Sequence, residues 1–140
     1  MNKTDILITI KDSHLTDGER ESFEMTTKGL LTEDGDKIII EYEEQYDELA
    51  GCKTTLTVVP EMFASIIRLG GYSTEMIIEM GKHHSCEYNT PFGSMLIGIG
   101  AKCVSSTVKD GCGTIKLEYT IDFYGGVASE NEMNITIERI

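Results

Sequence analysis

The feature that most constrains this chain is the regular alternation of its apolar and polar residues. From Thr114 to Tyr124, Ile115, Leu117, Tyr119, Ile121 and Phe123 take turns with Thr114, Lys116, Glu118, Thr120 and Asp122. Successive side chains on a strand point to opposite faces, so this pattern describes a strand with one buried and one wet face. The same period returns in Ile6/Ile8/Ile10, Phe23/Met25/Thr27, Ile38/Ile40/Tyr42 and Leu56/Val58. It continues in Met76/Ile78/Met80, Met95/Ile97/Ile99 and Met133/Ile135/Ile137. Ile and Thr dominate these runs, as suits a pleated, half-buried surface. No stretch sustains a helical stripe; the best helical candidates, Glu43 to Ala50 and Pro60 to Arg68, allow at most a turn or two.

Turn residues separate the runs at hairpin spacing: Asp17-Gly18, Asp34-Gly35-Asp36, Ala50-Gly51, Pro60-Glu61, Gly70-Gly71, Asn89-Thr90-Pro91, Asp110-Gly111 and Gly125-Gly126. Asp-Gly between alternating runs is a strong hairpin signal, because Gly supplies positive φ at the tip. About eight to ten short antiparallel strands follow. Such a sheet must deal with its edges, and a sandwich or a closed barrel does so. Short local connections with no long crossover favour the up-and-down barrel over the sandwich. Without linker, repeat or low-complexity tract, residues 1–140 read as one domain.

Composition narrows the partners. The chain carries 24 acidic and 12 basic side chains, a formal charge of −12. Nucleic acids and anionic membranes both select clustered Lys and Arg, so neither is expected as a partner. No window approaches the roughly 18 apolar residues of a membrane-spanning helix. The N-terminal segment alternates between Asp5 and Lys11 as a strand does, rather than forming a signal peptide. A cytoplasmic location is therefore expected, with Cys52, Cys86, Cys103 and Cys112 as thiols.

Several motifs invite chemistry, and each has a plainer reading. Gly98-Ile99-Gly100-Ala101-Lys102 resembles a phosphate loop in composition, but the alternation of Met95, Ile97 and Ile99 runs straight through it. Glycines inside a strand usually mark a bend or bulge. His83-His84-Ser85-Cys86 supplies residue types that bind zinc. On a strand, however, His84 and Cys86 share one face and His83 points away, so ordinary strand residues are the better reading and no metal site or cofactor is expected. Nothing pairs Cys86 with an oriented base, and no nucleophile elbow is present. The acidic pairs Glu43-Glu44, Glu19/Glu21, Asp34/Asp36 and Glu130/Glu132 fall at turns and strand ends, where carboxylates are normally solvated.

The inward positions are more informative. Arg68 shares a face with Ala64 and Ile66, while Tyr42, Tyr88 and Tyr119 fall at or near inward parity. An Arg with Tyr hydroxyls inside an apolar lumen would suit an apolar ligand bearing a carboxylate. Alternatively, Arg68 near a strand end snorkels to water, which is the more ordinary fate of such a residue.

Residues spread along the chain also carry a family resemblance. Ile40-Glu41-Tyr42-Glu43-Glu44, Thr54-Thr55-Leu56-Thr57, Arg68-Leu69-Gly70 and Met80-Gly81 come in order. They are followed by the most specific piece, Tyr88-Asn89-Thr90-Pro91-Phe92-Gly93, then Ile115-x-Leu117-x-Tyr119 and Asn134-Ile135-Thr136-Ile137. Together these resemble the YwiB-like proteins, small bacterial β-barrels. The resemblance implies a calycin (lipocalin-like) barrel in a bacterial cytoplasm and carries over no catalytic residue. The expectation is an all-β, antiparallel up-and-down barrel that binds a small apolar or anionic molecule through Arg68, Tyr42, Tyr88 and Tyr119. The alternative is an interaction or self-association module, homo-oligomeric or with a basic partner, using the acidic exterior. An enzymatic role ranks last for want of a catalytic constellation.

Overall fold

The computed structural model describes residues 2–45, 49–123 and 126–140. Ten strands follow one another in chain order: β1 (Thr4–Thr16), β2 (Glu19–Asp34), β3 (Lys37–Glu43), β4 (Lys53–Val59), β5 (Phe63–Leu69), β6 (Ser73–Glu79), β7 (His83–Thr90), β8 (Gly93–Ser106), β9 (Gly113–Phe123) and β10 (Gly126–Arg139). Each pairs antiparallel with its neighbours, and β1 pairs with β10, so the meander closes on itself as a barrel. The barrel, not the sandwich, is the solution this sequence adopts. Pro60 to Arg68, a helical candidate by sequence, is a turn followed by β5. Part of the other candidate, residues 46–48, lies outside the described residues.

The alternating patterns sort as expected into an apolar interior and a wet exterior. Ile6, Ile8, Ile10, Ile40, Val58, Ala64, Ile78, Ile99, Ile115, Leu117, Ile135 and Ile137 are essentially inaccessible to solvent. Each of the Val, Leu and Ile side chains among them contributes roughly 1.5–3 kcal/mol over its exposed state. Outside, lysines meet carboxylates along and across strands, as in Lys3–Glu41, Lys102–Glu130 and Lys116–Glu118. These pairs are half exposed, so they favour solubility more than stability. The Asp-Gly hairpins carry the backbone their sequence announced. Asp17 and Gly18 have φ of 50° and 79°, and Asp110 and Gly111 have 53° and 84°.

The ladder departs from regularity in three places among the described residues, one of them a register shift between Val127 and Ser129 on β10. Register shifts between Ala101 and Cys103 on β8, just beyond Gly98 and Gly100. The tract that imitates a phosphate loop therefore lies within a strand that bulges. The β6–β7 hairpin pairs only at Ser73↔Asn89 and Thr74↔Tyr88, and opens toward its turn.

The two ends of the barrel differ. At one end the connecting turns are tied together: Glu61 N donates to Val104 O at 2.8 Å and Met80 N to Met62 O at 2.8 Å. Beneath them lie the isoleucines and valines of the core. The opposite end, reached by the β1–β2, β3–β4, β5–β6 and β7–β8 connections, holds most of the charged and aromatic inward residues.

Candidate functional site

At that second end, inward parity continues past the apolar core into polar residues. On β1 the series Ile6, Ile8, Ile10 runs on to Asp12 and His14. On β3 it runs from Ile38 and Ile40 to Tyr42 and then Glu44, just past the strand. On β5 it runs from Ala64 and Ile66 to Arg68. These side chains surround a cavity of about 310 Å³ whose walls include Ile10, Phe23, Met25, Leu49, Tyr72 and Met133. Asp12, His14, Tyr42, Glu44, Arg68 and Tyr88 supply its polar lining. That volume lies at the lower end of the range of small-molecule sites.

Local structure explains how a glutamate comes to sit inside. Glu44 N donates to Cys52 O at 2.8 Å, and Gly51 N returns a bond to Glu44 O at 3.0 Å. These bonds fold the β3–β4 connection back on itself and leave Glu44 only 7% exposed. The buried Thr54 hydroxyl donates to Glu44 Oε2 at 2.6 Å, and Arg68 Nη2 lies 3.5 Å from the same oxygen. Gly70, at φ 146°, brings the β5–β6 turn against Cys52, where any Cβ would press into the sulfur. Cys52 Sγ donates weakly to Tyr72 O at 3.7 Å, which helps to hold this turn. The Tyr72 ring then meets that of Tyr88 at 6.4 Å between centroids.

Tyr88 owes its place to the tract Tyr88-Asn89-Thr90-Pro91-Phe92-Gly93. Thr90 Oγ1 accepts from Phe92 N at 3.1 Å and donates to Gly93 O at 2.9 Å, stapling the β7–β8 turn. The turn fixes the register in which Tyr88 faces inward opposite Met95.

The electrostatics of the cavity are unusual. Asp12 is pushed up to about 6, mainly by burial and then by the Glu44 charge, with Arg68 and His14 acting against the rise. Burial also drives the Tyr42 and Tyr119 hydroxyls well above the ordinary phenol range, so both stay neutral at physiological pH. Asp12 Oδ1 and Arg68 Nε are buried without a hydrogen-bond partner. Such groups are costly unless something compensates them.

Of the four residues expected at a site, Tyr42, Arg68 and Tyr88 line the same cavity. Tyr119 does not line it; it is 8% exposed within the core, close enough to Asp12 and Arg68 to feel both charges. Arg68 is 14% exposed and turned toward Glu44, so it does not snorkel. The solvated reading of Glu43-Glu44 fails for Glu44, because the connection carries it inward where Arg68 and Thr54 compensate its charge. Asp12 and His14 were missed, although extending the parity of Ile6, Ile8 and Ile10 by two steps reaches both.

The remaining motifs resolve into strand chemistry. His83 pairs with Asp122 at 2.6 Å and His84 with Glu79 at 2.8 Å, so the two imidazoles serve separate carboxylates. Among the described residues no three metal-ligating side chains gather. Gly98 leaves room for the first pair, since a Cβ there would overlap Asp122 Oδ1 and the His83 ring. Burial raises the Cys86 thiol, which a hydrogen bond with Thr74 partly offsets, and this makes it a poor thiolate. No described helix is long and apolar enough to cross a membrane.

Comparison with known proteins agrees with the barrel and with the resemblance carried by the motifs. The chain is 25% identical over 135 residues to the uncharacterized beta-barrel protein YwiB of Bacillus subtilis (strain 168), covering 96% of this chain and 92% of that one. The crystal structure of the Bacillus subtilis ywiB protein superposes with a TM-score of 0.87 at 23% identity, over 99% of this chain and 93% of the other. A family model described as a domain of unknown function, DUF1934, matches residues 8–135. With nearly its whole length matched, this chain belongs to the DUF1934 family.

Proposed function

We propose that this small β-barrel protein binds a small, largely apolar molecule in the cavity at its open end. The observation that carries this reading is the cavity of about 310 Å³, walled by Ile10, Phe23, Met25 and Met133 and backed by a few convergent polar groups. Apolar walls with few polar groups are the usual composition of a site that buries a ligand. Barrels of this size either fill their interior with side chains or keep room for one small molecule, and this one does both at opposite ends. Self-association through the exterior gains less support. A surface with a net charge of −12 repels its own copy at low salt.

Trp is absent from the sequence, so Phe23→Trp introduces a single fluorophore at the cavity wall. Titration with octan-1-ol should shift its emission with saturation. Met25→Phe in the same background fills space next to the probe and should weaken the response. Lack of a saturable shift, together with an NMR structure in which side chains occupy the cavity, would overturn the reading. Native mass spectrometry of gently purified protein is the independent check, with a bound small mass expected.

A further inference from the structure

From the charges around this cavity we infer that its ligand is an amphiphilic cation, an apolar body carrying a protonated amine, whose ammonium group is received beside Asp12. The inference rests on the cavity being a binding site and names the chemistry of what enters it. Among the described residues, two carboxylates, Asp12 and Glu44, share the lining with one guanidinium, Arg68. Glu44 Oε2 already faces Arg68 Nη2 at 3.5 Å and accepts from Thr54 at 2.6 Å. The charge of Arg68 is thereby balanced, although its Nε keeps no hydrogen-bond partner, and the charge left over among the described residues is that of Asp12.

An entering carboxylate would meet two like charges and an arginine whose charge Glu44 already balances, with one unpartnered N–H, the Nε, left to offer. An entering ammonium meets a carboxylate that has one buried oxygen without a partner. Low dielectric strengthens both effects. The isolated arginine that would have selected an anionic ligand is not what the barrel contains, because the β3–β4 connection brings Glu44 to it. The aromatic rings of Phe23, Tyr72 and Tyr88 along the wall also favour a cation, since a ring face attracts positive charge.

The groups facing Asp12 come from most of the barrel: His14 on its own strand, Tyr42 and Glu44 from β3 and its connection, Arg68 from β5, and Tyr119 from β9. Among the described residues, Tyr72 and Tyr88 are the other titratable groups of the lining, and β2 and β10 contribute Phe23, Met25 and Met133. Asp12 is thus the carboxylate whose ionisation an incoming ammonium most directly favours. Binding of the cation should release a proton from it as the pH falls toward 6.

A matched series tests the inference: octylamine, octan-1-ol and octanoate, titrated into the full chain by calorimetry and by NMR shifts of the cavity residues. The amine should bind about tenfold tighter than the alcohol at neutral pH, and octanoate weaker than either. The amine's advantage should shrink between pH 7 and 5 and collapse in Asp12→Asn. Glu75→Gln, an exposed carboxylate on the outer face of β6, should leave the amine-to-alcohol ratio as it is, separating the site from the overall charge. If the alcohol or octanoate binds as tightly as the amine, the cation inference falls and the cavity reading stands. If none of the three binds, both fall. If Asp12→Asn keeps the full preference for amine, Asp12 is not its receptor and the inference is overturned.

Discussion

The two ends of this barrel are built from the same strands and pursue different ends. Toward the tied end, β1, β3, β5 and β6 contribute Ile8, Ile40, Ala64 and Ile78, all fully buried and apolar. Toward the open end, the same strands or the connections that leave them contribute Asp12, Glu44, Arg68 and Tyr72 around a cavity. One stretch of alternation thus supplies a packed core and, a turn or two farther along the strand, a charged chamber. The difference shows where stability is generated and where it is given up. A close-packed apolar layer is the main source of folding free energy, whereas buried charges rarely add to it. A protein selected for stability alone would have continued the isoleucines.

The largest effects should come from breaking each end in its own way. Arg68→Ala removes the cation between two carboxylates and should cost about 3–5 kcal/mol, because it leaves buried negative charge uncompensated. Ile78→Ala at the tied end should cost about 2–5 kcal/mol by leaving a cavity in a packed layer. The magnitudes overlap, but the remedies differ. Arg68→Met combined with Glu44→Gln should recover most of the first loss, since a neutral pair of similar volume replaces an ion pair. No polar exchange nearby should recover the second. Urea denaturation of the three variants, and of Ile78→Ala combined with a polar exchange beside it, checks both statements, and equal behaviour of the two ends would erase the distinction.

Asp12→Asn should act with the opposite sign. The folded-state value of Asp12 is raised from 3.8 to about 6, so the fold favours its neutral form. Stability from that preference is complete below the unfolded value and is lost as pH rises through about 6. At pH 7 the wild-type chain has therefore forgone up to about 3 kcal/mol that the neutral amide keeps. The variant should be more stable than wild type at pH 7 and nearly equal to it at pH 4. Denaturation curves at intervals across that window give the difference directly. A wild-type chain that matches the variant at pH 7 would place Asp12 in water rather than in the chamber.

How much of this was legible beforehand follows from the same physics. Period-2 alternation shows wherever a sheet has one wet and one dry face, so the strands, the hairpins and the closed meander could all be read. Arg68 was legible by its parity with Ala64 and Ile66. Asp12 and His14 were equally available by parity from Ile6, Ile8 and Ile10, but their charge argued for solvent. Glu44 continues the parity of Ile38, Ile40 and Tyr42, but it lies just past the end of β3, where parity no longer says which way a side chain points. Its burial depends on backbone bonds to Gly51 and Cys52 and on an arginine 24 positions away, and neither leaves a local trace. Tyr119 shows the converse: its parity is right, yet parity cannot say how deep along the barrel a residue lies.

The smallest expected effects concern the tract that best marks the family resemblance. Phe92 is 92% exposed at the tip of the β7–β8 turn, while Thr90 beneath it makes two hydrogen bonds across that turn. Thr90→Val should cost about 1 kcal/mol for the lost bonds. It should also loosen the register that aims Tyr88 inward, visible as a weaker ring-current shift between Tyr72 and Tyr88. Phe92→Ser should change stability by no more than about 0.5 kcal/mol, because little is packed against the ring. If Thr90→Val alone disturbs Tyr88, the tract serves the open end by shaping a turn. A loss of well over 1 kcal/mol in Phe92→Ser would mean instead that the ring packs against the rim of the chamber, and the open end would be more closed than its geometry says.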